Sequence, residues 1–150
     1  MSTLERAIAI AAEAHTKKTD KGGAPYILHP LRVMLAMTDT DSQIVAVLHD
    51  VVEDHSPPWT LEKIRSEGFS EPVIEALDAV THRKGEEYFA YIARAIANPI
   101  GRRVKAADTK DSMDLGRISD LTDDDFERLK KYKKAFKIIA DAPPHEEDKA

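Results

Sequence analysis

The stretch Leu48-His49-Asp50-Val51-Val52-Glu53-Asp54 decides how this chain is organised. Set at helical spacing, His49, Asp50, Glu53 and Asp54 fall within one arc of the surface, and Ile44, Val45, Val47, Leu48, Val51 and Val52 fall on the opposite arc. The pattern predicts an amphipathic helix capped by Thr40 or Asp41 and stopping near His55, ahead of Pro57-Pro58. Its polar arc carries three carboxylates and an imidazole, with no lysine or arginine among them. Carboxylates that close repel one another, and a divalent cation is the usual reason for keeping them together. A solvated acidic face is the plainer alternative.

Helical periodicity continues outward in both directions. Ser2 followed by Glu5 forms a capping-box pattern for a helix running to Lys17 or Lys18. Thr19-Asp20-Lys21-Gly22-Gly23-Ala24-Pro25 is a loop by its glycine and proline content. Pro30 suits the first turn of a helix through Leu31, Val33, Met34 and Leu35. Beyond the central stretch, Thr60 caps a short helix ending at Gly68. Ser70 caps another, with Pro72 in its first turn and Val73, Ile74, Leu77 and Val80 inside. Helices over roughly 86–97 and 100–115 follow. The last begins near Thr122, with Asp123, Asp124 and Asp125 at its positive end. It runs through Phe126, Leu129, Phe136 and Ile139 with lysines outward, until Pro143-Pro144. The charged tail 143–150 is expected to be loose. No strand, repeat or linker is evident, so the expectation is a single all-α domain over 1–150.

Composition narrows the function. Hydrophobic residues at 42% supply a core, and 33% charged residues suit a solvated surface. A net charge of −5 argues against a general nucleic-acid binder and leaves room for a local basic pocket. The absence of cysteine excludes disulfides and thiolate metal sites and fits a reducing compartment, so a cytoplasmic setting is expected. The Ala7–Ala12 run is short and followed by Glu13, which makes it a helix face and not a signal peptide. No stretch is apolar enough to span a bilayer, so no membrane partner is expected.

Three groups could complete a metal site with His49 and Asp50: His29 in the Leu28-His29-Pro30 step, Asp108 in Lys105-Ala106-Ala107-Asp108, and His15 near the end of the first helix. Pro30 predicts extended backbone at His29, placing it at the mouth of a helix. Asp108 follows a small apolar run inside a predicted helix, and His15 fits a polar helix end better than a ligand. Two imidazoles and two carboxylates make a mixed nitrogen and oxygen shell that suits Mn²⁺, Fe²⁺ or Zn²⁺ better than Ca²⁺. Protein ligands on one side leave positions for water and substrate, the pattern of a hydrolytic metal. Glu53 and Asp54, one turn beyond, are close enough to handle that water.

The ordered set His29, His49-Asp50 and Asp108 resembles the HD superfamily of metal-dependent phosphohydrolases. The blocks Gly23-Ala24-Pro25-Tyr26-Ile27-Leu28-His29-Pro30, His49-Asp50-Val51-Val52-Glu53-Asp54, Val80-Thr81 and Lys105-Ala106-Ala107-Asp108 look like the hydrolase domain of the RelA/SpoT family, and the short length resembles its stand-alone small alarmone hydrolases. The resemblance runs from about the first helix to Leu115. It implies a bundle of seven to eight helices around one metal, usually Mn²⁺. It also implies removal of the 3′-pyrophosphate from guanosine 3′,5′-bis(diphosphate), a small nucleotide substrate. His29, His49, Asp50 and Asp108 would bind the metal, and Glu53 and Asp54 would position and activate water. Lys21 matches a basic residue near the substrate phosphates, and Tyr26, Thr81, Lys105 and Ser112 sit at pocket positions. A homo-oligomer is compatible with all of this.

Three departures bear on specificity. The family usually has arginine beside the Lys21 position, where this chain has Asp20. It has asparagine four residues after the last metal aspartate, where this chain has Ser112. It often has arginine two residues further, where this chain has Asp114. Basic-to-acidic changes near a polyanion weaken its binding or change its preference. Lys17, Lys18, Arg83 and Lys84 would compensate if they reached the cleft. The competing expectations are another nucleotide phosphatase on the same scaffold (acting on a nucleoside monophosphate or the 2′-phosphate of NADPH), a nucleotide-binding regulator without catalysis, and an acidic helical adaptor.

Overall fold

The computed structural model describes residues 1–149. The chain forms α1 (Leu4–Ala14), α2 (Leu28–Leu35), α3 (Thr40–Leu48), α4 (Val51–Asp54), α5 (Leu61–Ser66), α6 (Glu71–Ala79), α7 (Tyr88–Ile96), α8 (Pro99–Ser112) and α9 (Asp123–Asp141), with short 3₁₀ turns at Leu115–Arg117 and Glu146–Asp148. Among the described residues there is no strand, only one isolated bridge between Thr19 and Pro25. No helix of the described residues is long and apolar enough to cross a membrane.

α3 is the hub and packs against α1, α2, α6 and α8. Ser42, Ile44, Val45, Ala46, Val47 and Leu48 are all buried. Beyond its exposed first turn at Thr40 and Asp41 the helix is therefore enclosed, as a hydrophobic run with little solvated face must be. Leu48, Val51, Ile10, Val33, Leu77 and Val104 bring six helices into one cluster. Emptying Leu48 to alanine would cost about 2–5 kcal/mol. A second, smaller cluster of Tyr91, Ile92, Ala95, Ala135 and Ile139 joins α7 to α9. α8 lies between the two clusters and contacts α3 on one side and α7 and α9 on the other.

Several local expectations are corrected. The helix predicted through His49 is two segments, because His49 Nδ1 lies 2.6 Å from the Ala46 carbonyl and takes the acceptor that Asp50 N–H would use in a continuous helix. The polar arc is graded: His49 is only 3% exposed and Asp50 is partly buried, whereas Glu53 and Asp54 stand exposed at the mouth of a cleft. Thr3, not Ser2, caps α1 by accepting from Arg6 N–H, and the helix ends at Ala14. Lys17 then takes a left-handed φ of 66°, which turns the chain into the 19–25 loop. His29 lies within α2 and is not extended. Its amide donates to Tyr26 O, and Pro30 sits where a first-turn N–H is not needed. α7 and α8 keep their expected places with shorter ends, and Thr122 forms a full capping box with Asp125 at the start of α9. Phe126, expected inside, is 46% exposed. The tail is held in place: Arg102 donates to Ala142 O and Pro143 O, His145 meets Ile96 O, and Arg103 pairs with Asp148. Its last residue, Ala150, lies outside the described residues.

Candidate metal centre and its cleft

His29 of α2, His49 and Asp50 at the α3–α4 break, and Asp108 of α8 converge. His29 Nε2 lies 3.6 Å from Asp50 Oδ2 and 3.0 Å from Asp108 Oδ1. His49 Nε2 lies 3.1 Å and 3.4 Å from the same two oxygens. Ligand atoms on neighbouring positions of one ion, each bonded at about 2.1 Å, stand about 3 Å apart. His29, His49 and Asp50 form a group able to hold a divalent ion.

The imidazoles are oriented for that task. The Ala46 carbonyl can only accept, so His49 Nδ1 carries the proton and Nε2 turns its lone pair into the cluster. That buried Nε2 makes no hydrogen bond. An orphaned acceptor in contact with two carboxylates is explained by a cation between them. His29 Nδ1 lies 2.6 Å from Asp111 Oδ2, and Arg32 grips Asp111 with bonds of 2.7 and 3.0 Å. Asp111 thereby fixes the His29 ring, the outer-shell arrangement common around metal-bound histidine. The sequence reading missed it, although it lies one turn after Asp108 on the same helix.

Electrostatics follow from this packing. Burial disfavours charge on His29, but hydrogen bonds to Asp108 and Asp111 outweigh it and raise its pKa to about 9. Burial also opposes ionisation of Asp50 and Asp108. Lys105 beside Asp108, and the His49 imidazole beside both carboxylates whenever it carries a second proton, hold them low; a cation between them would take the place of that proton. The centre thus keeps its carboxylates ionised, the state a cation requires.

Glu53 and Asp54 border the same cleft. His82 N–H donates to Glu53 at 2.8 Å; burial raises the Glu53 pKa and this bond opposes the rise. Lys18 Nζ reaches Asp54 at 2.8 Å and sits 3.9 Å above the Tyr26 ring. Tyr26 donates to Asp50 Oδ2 at 2.5 Å. Lys105 is buried with its ammonium 2.8 Å from Asp108 Oδ2. The cleft has a volume of about 310 Å³, and its far wall comes from Tyr88, Tyr91, Lys131 and Tyr132. Lys131 was among the lysines expected outward, and these four side chains and His82 were not anticipated as part of the site.

A second cavity of about 460 Å³ adjoins it, sharing Tyr26, His29, Ser112 and Tyr132. Lys21, Arg32, Arg117 and Arg128 line it. Its wall closes where Gly22 packs so tightly on the Arg117 carbonyl that a Cβ there would collide with it. Asp20 stands beside this pocket, but its carboxylate accepts from Gly22 and Ala24 N–H at 2.9 Å and so shapes the loop. Asp114 caps the following turn and holds Arg117 at 2.8 Å. Thr81 lines neither cavity, since its hydroxyl donates to Leu77 O. Of the basic residues considered for compensation, none lines either cavity: Lys18 pairs with Asp54 at the edge of the cleft, Arg83 pairs with Asp78, and Lys17 and Lys84 stand apart. His15 meets His55 at 2.9 Å and is not part of the cluster.

An all-helical bundle with an internal His/Asp group able to hold a divalent ion defines the class. The HD domain family matches residues 7–120, and the chain belongs to it. Residues of the chain are 39% identical over 82 positions to a guanosine-3′,5′-bis(diphosphate) 3′-pyrophosphohydrolase of Aquifex aeolicus (strain VF5), covering 52% of this chain and 11% of that protein. A protein of the same name from Haemophilus influenzae is 40% identical over 76 residues, covering 48% and 11%. The chain thus spans about a tenth of the length of these curated relatives. The fold is similar, with a TM-score of 0.75, to a solved structure described as a metazoan ortholog of SpoT that hydrolyzes ppGpp; that likeness covers 95% of this chain and 87% of the other at 22% identity.

Proposed function

We propose that this chain is a metal-dependent pyrophosphohydrolase that removes the 3′-pyrophosphate of guanosine 3′,5′-bis(diphosphate) or a closely related alarmone. The observation that carries the reading is the unpartnered, buried His49 Nε2, which meets Asp50 and Asp108 at a point also reached by His29. Similarity to named pyrophosphohydrolases supports the choice of substrate. His29, His49, Asp50 and Asp108 would hold the ion. Their mixed nitrogen and oxygen set suits Mn²⁺, with Fe²⁺ and Zn²⁺ as competitors. When bound, the ion supplies Lewis acidity to water and to a phosphoryl oxygen.

The chain's own groups do the rest. Glu53, its pKa raised by burial, takes a proton from the attacking water. Asp54, steadied by Lys18, orients that water. The water oxygen bonds to the inner phosphorus of the 3′-pyrophosphate, the bond from that phosphorus to the 3′ oxygen breaks, and the 3′ oxygen is protonated. GDP and pyrophosphate leave. Lys21, Arg32, Arg117 and Arg128, in the adjoining pocket, face the remaining anionic part of the nucleotide. Such a substrate and a cysteine-free chain suit the cytoplasm.

The test is hydrolysis of guanosine 3′,5′-bis(diphosphate) by Mn²⁺-loaded protein, with products separated by chromatography. GDP and pyrophosphate are expected, with both activity and bound metal abolished in Asp50→Ala. Orthophosphate released from a different nucleotide, or intact alarmone with metal still bound, would overturn the substrate.

A further inference from the structure

The wall of the cleft facing the metal centre carries two polar groups that the reaction above leaves without a task. Lys131, on α9, and Tyr88, at the start of α7, line the cavity together with Glu53, Asp54 and Asp108. The geometry points to Lys131 and the Tyr88 hydroxyl as the subsite that holds the outer phosphate of the pyrophosphate, and so as the groups that make the enzyme prefer a diphosphate to a monophosphate. The identity of the ligand rests on the proposed function.

The other lysine lining the cleft, Lys105, is already engaged with Asp108 at 2.8 Å, and Lys18 at its edge is held by Asp54 at 2.8 Å. Lys131 has no carboxylate partner among the described residues. Its ammonium sits 4.5 Å from the Tyr88 ring and 5.3 Å from the Tyr132 ring, clamped by aromatic faces that place it but do not neutralise it. Burial and the nearby charges of Lys105 and Arg128 push its pKa down, which reflects a cation held among cations. The Tyr88 hydroxyl is buried and makes no hydrogen bond. A buried phenol without a partner is costly unless an acceptor arrives.

An incoming group should therefore be anionic and rich in acceptor oxygens, which a terminal phosphate is. Tyr88 senses the charges of Lys105, Asp108 and Glu53. The subsite is therefore within electrostatic range of both the metal ligands and the water-handling acid. An inner phosphorus at the centre would leave an outer phosphate to reach the α7–α9 wall. A monophosphate ends before it.

The experiment titrates inorganic pyrophosphate, and separately orthophosphate, into Mn²⁺-loaded protein freed of excess ion, by calorimetry. Metal content is measured again afterwards. Wild-type protein is expected to bind pyrophosphate at least ten-fold more tightly than orthophosphate. Lys131→Met should lose that preference, Tyr88→Phe should lose part of it, and Lys131→Arg should retain it. Unchanged metal content and melting temperature establish that each variant is folded. A wild-type protein without the preference, or a Lys131→Met protein that keeps it, overturns the subsite. If alarmone is not cleaved but Lys131→Met still erases the preference, the subsite stands and the proposed substrate fails. If alarmone is cleaved and the preference survives in Lys131→Met, the subsite alone fails.

Discussion

The metal cleft and the basic pocket beside it share Tyr26, His29, Ser112 and Tyr132, yet their charged groups are held in different ways. In the cleft the decisive side chains are buried and stand on helices or at a helix break, with His49 3% and Asp108 8% exposed. Each is fixed by a short contact: His49 by Ala46, His29 by Asp111, Asp108 by Lys105. In the pocket the three arginines are partly exposed and already paired within the protein: Arg32 with Asp111, Arg117 with Asp114, Arg128 with Asp125. Buried groups cannot rearrange without leaving a polar atom unsatisfied, whereas exposed ion pairs exchange partners at small cost. Geometry able to hold an ion needs the rigidity of the first region, whereas the ion pairs of the second can rearrange around a ligand.

That contrast can be broken or sharpened by substitution. Glu53→Ala should lower turnover by about 10²- to 10⁴-fold while the bound metal is retained, because Glu53 is assigned to the water. Steady-state kinetics together with metal analysis tests this, and loss of metal would remove the division of roles. Acid should act through the buried side. Burial and the neighbouring His55 lower the His15 pKa from 6.5 to about 4. Below pH 6.5 the unfolded chain takes up a proton that folded His15 refuses, so stability is full above pH 6.5 and declines as pH falls toward 4, by up to about 3 kcal/mol. Urea unfolding at pH 7 and pH 5 should show the decline in wild type and a shallower one in His15→Gln.

Asp111→Ala should weaken metal binding by about 10- to 100-fold, since it frees the His29 ring without removing a ligand. Competition with a metal-binding dye measures this directly. Arg117→Ala, in the basic pocket, should raise KM only about three- to ten-fold with kcat unchanged, because Arg117 is a third exposed and shares its charge with Asp114 and Asp111. A large fall in kcat there would mean that the two regions are not separable.

The helices were legible wherever apolar period and caps agreed: Thr60 and Thr122 cap α5 and α9 as their sequence pattern predicts, and α6 starts after Ser70, whose side chain makes no capping bond. Boundaries failed where a side chain competed for a backbone acceptor, as His49 does at Ala46, or where the chain had to turn for a tertiary reason, as at Lys17. The four expected metal ligands converge, whereas Thr81 turns back on its own helix because a hydroxyl there finds the Leu77 carbonyl one turn behind. Asp20 looked like an anion-repelling replacement, but two backbone amides hold its carboxylate.

By itself the sequence determined the all-helical architecture and marked the His/Asp group and the acid pair beside it as candidates, because these depend on periodicity and on donor types at fixed spacing along the helices. Only the tertiary structure decided which arc of α3–α4 faces an interior cleft, that Asp111 steadies His29, and that α7 and α9 close the cleft with Tyr88, Lys131 and Tyr132. Those placements come from the packing of α7 and α9 on each other and on α8, between segments distant in the chain, and no local pattern encodes them.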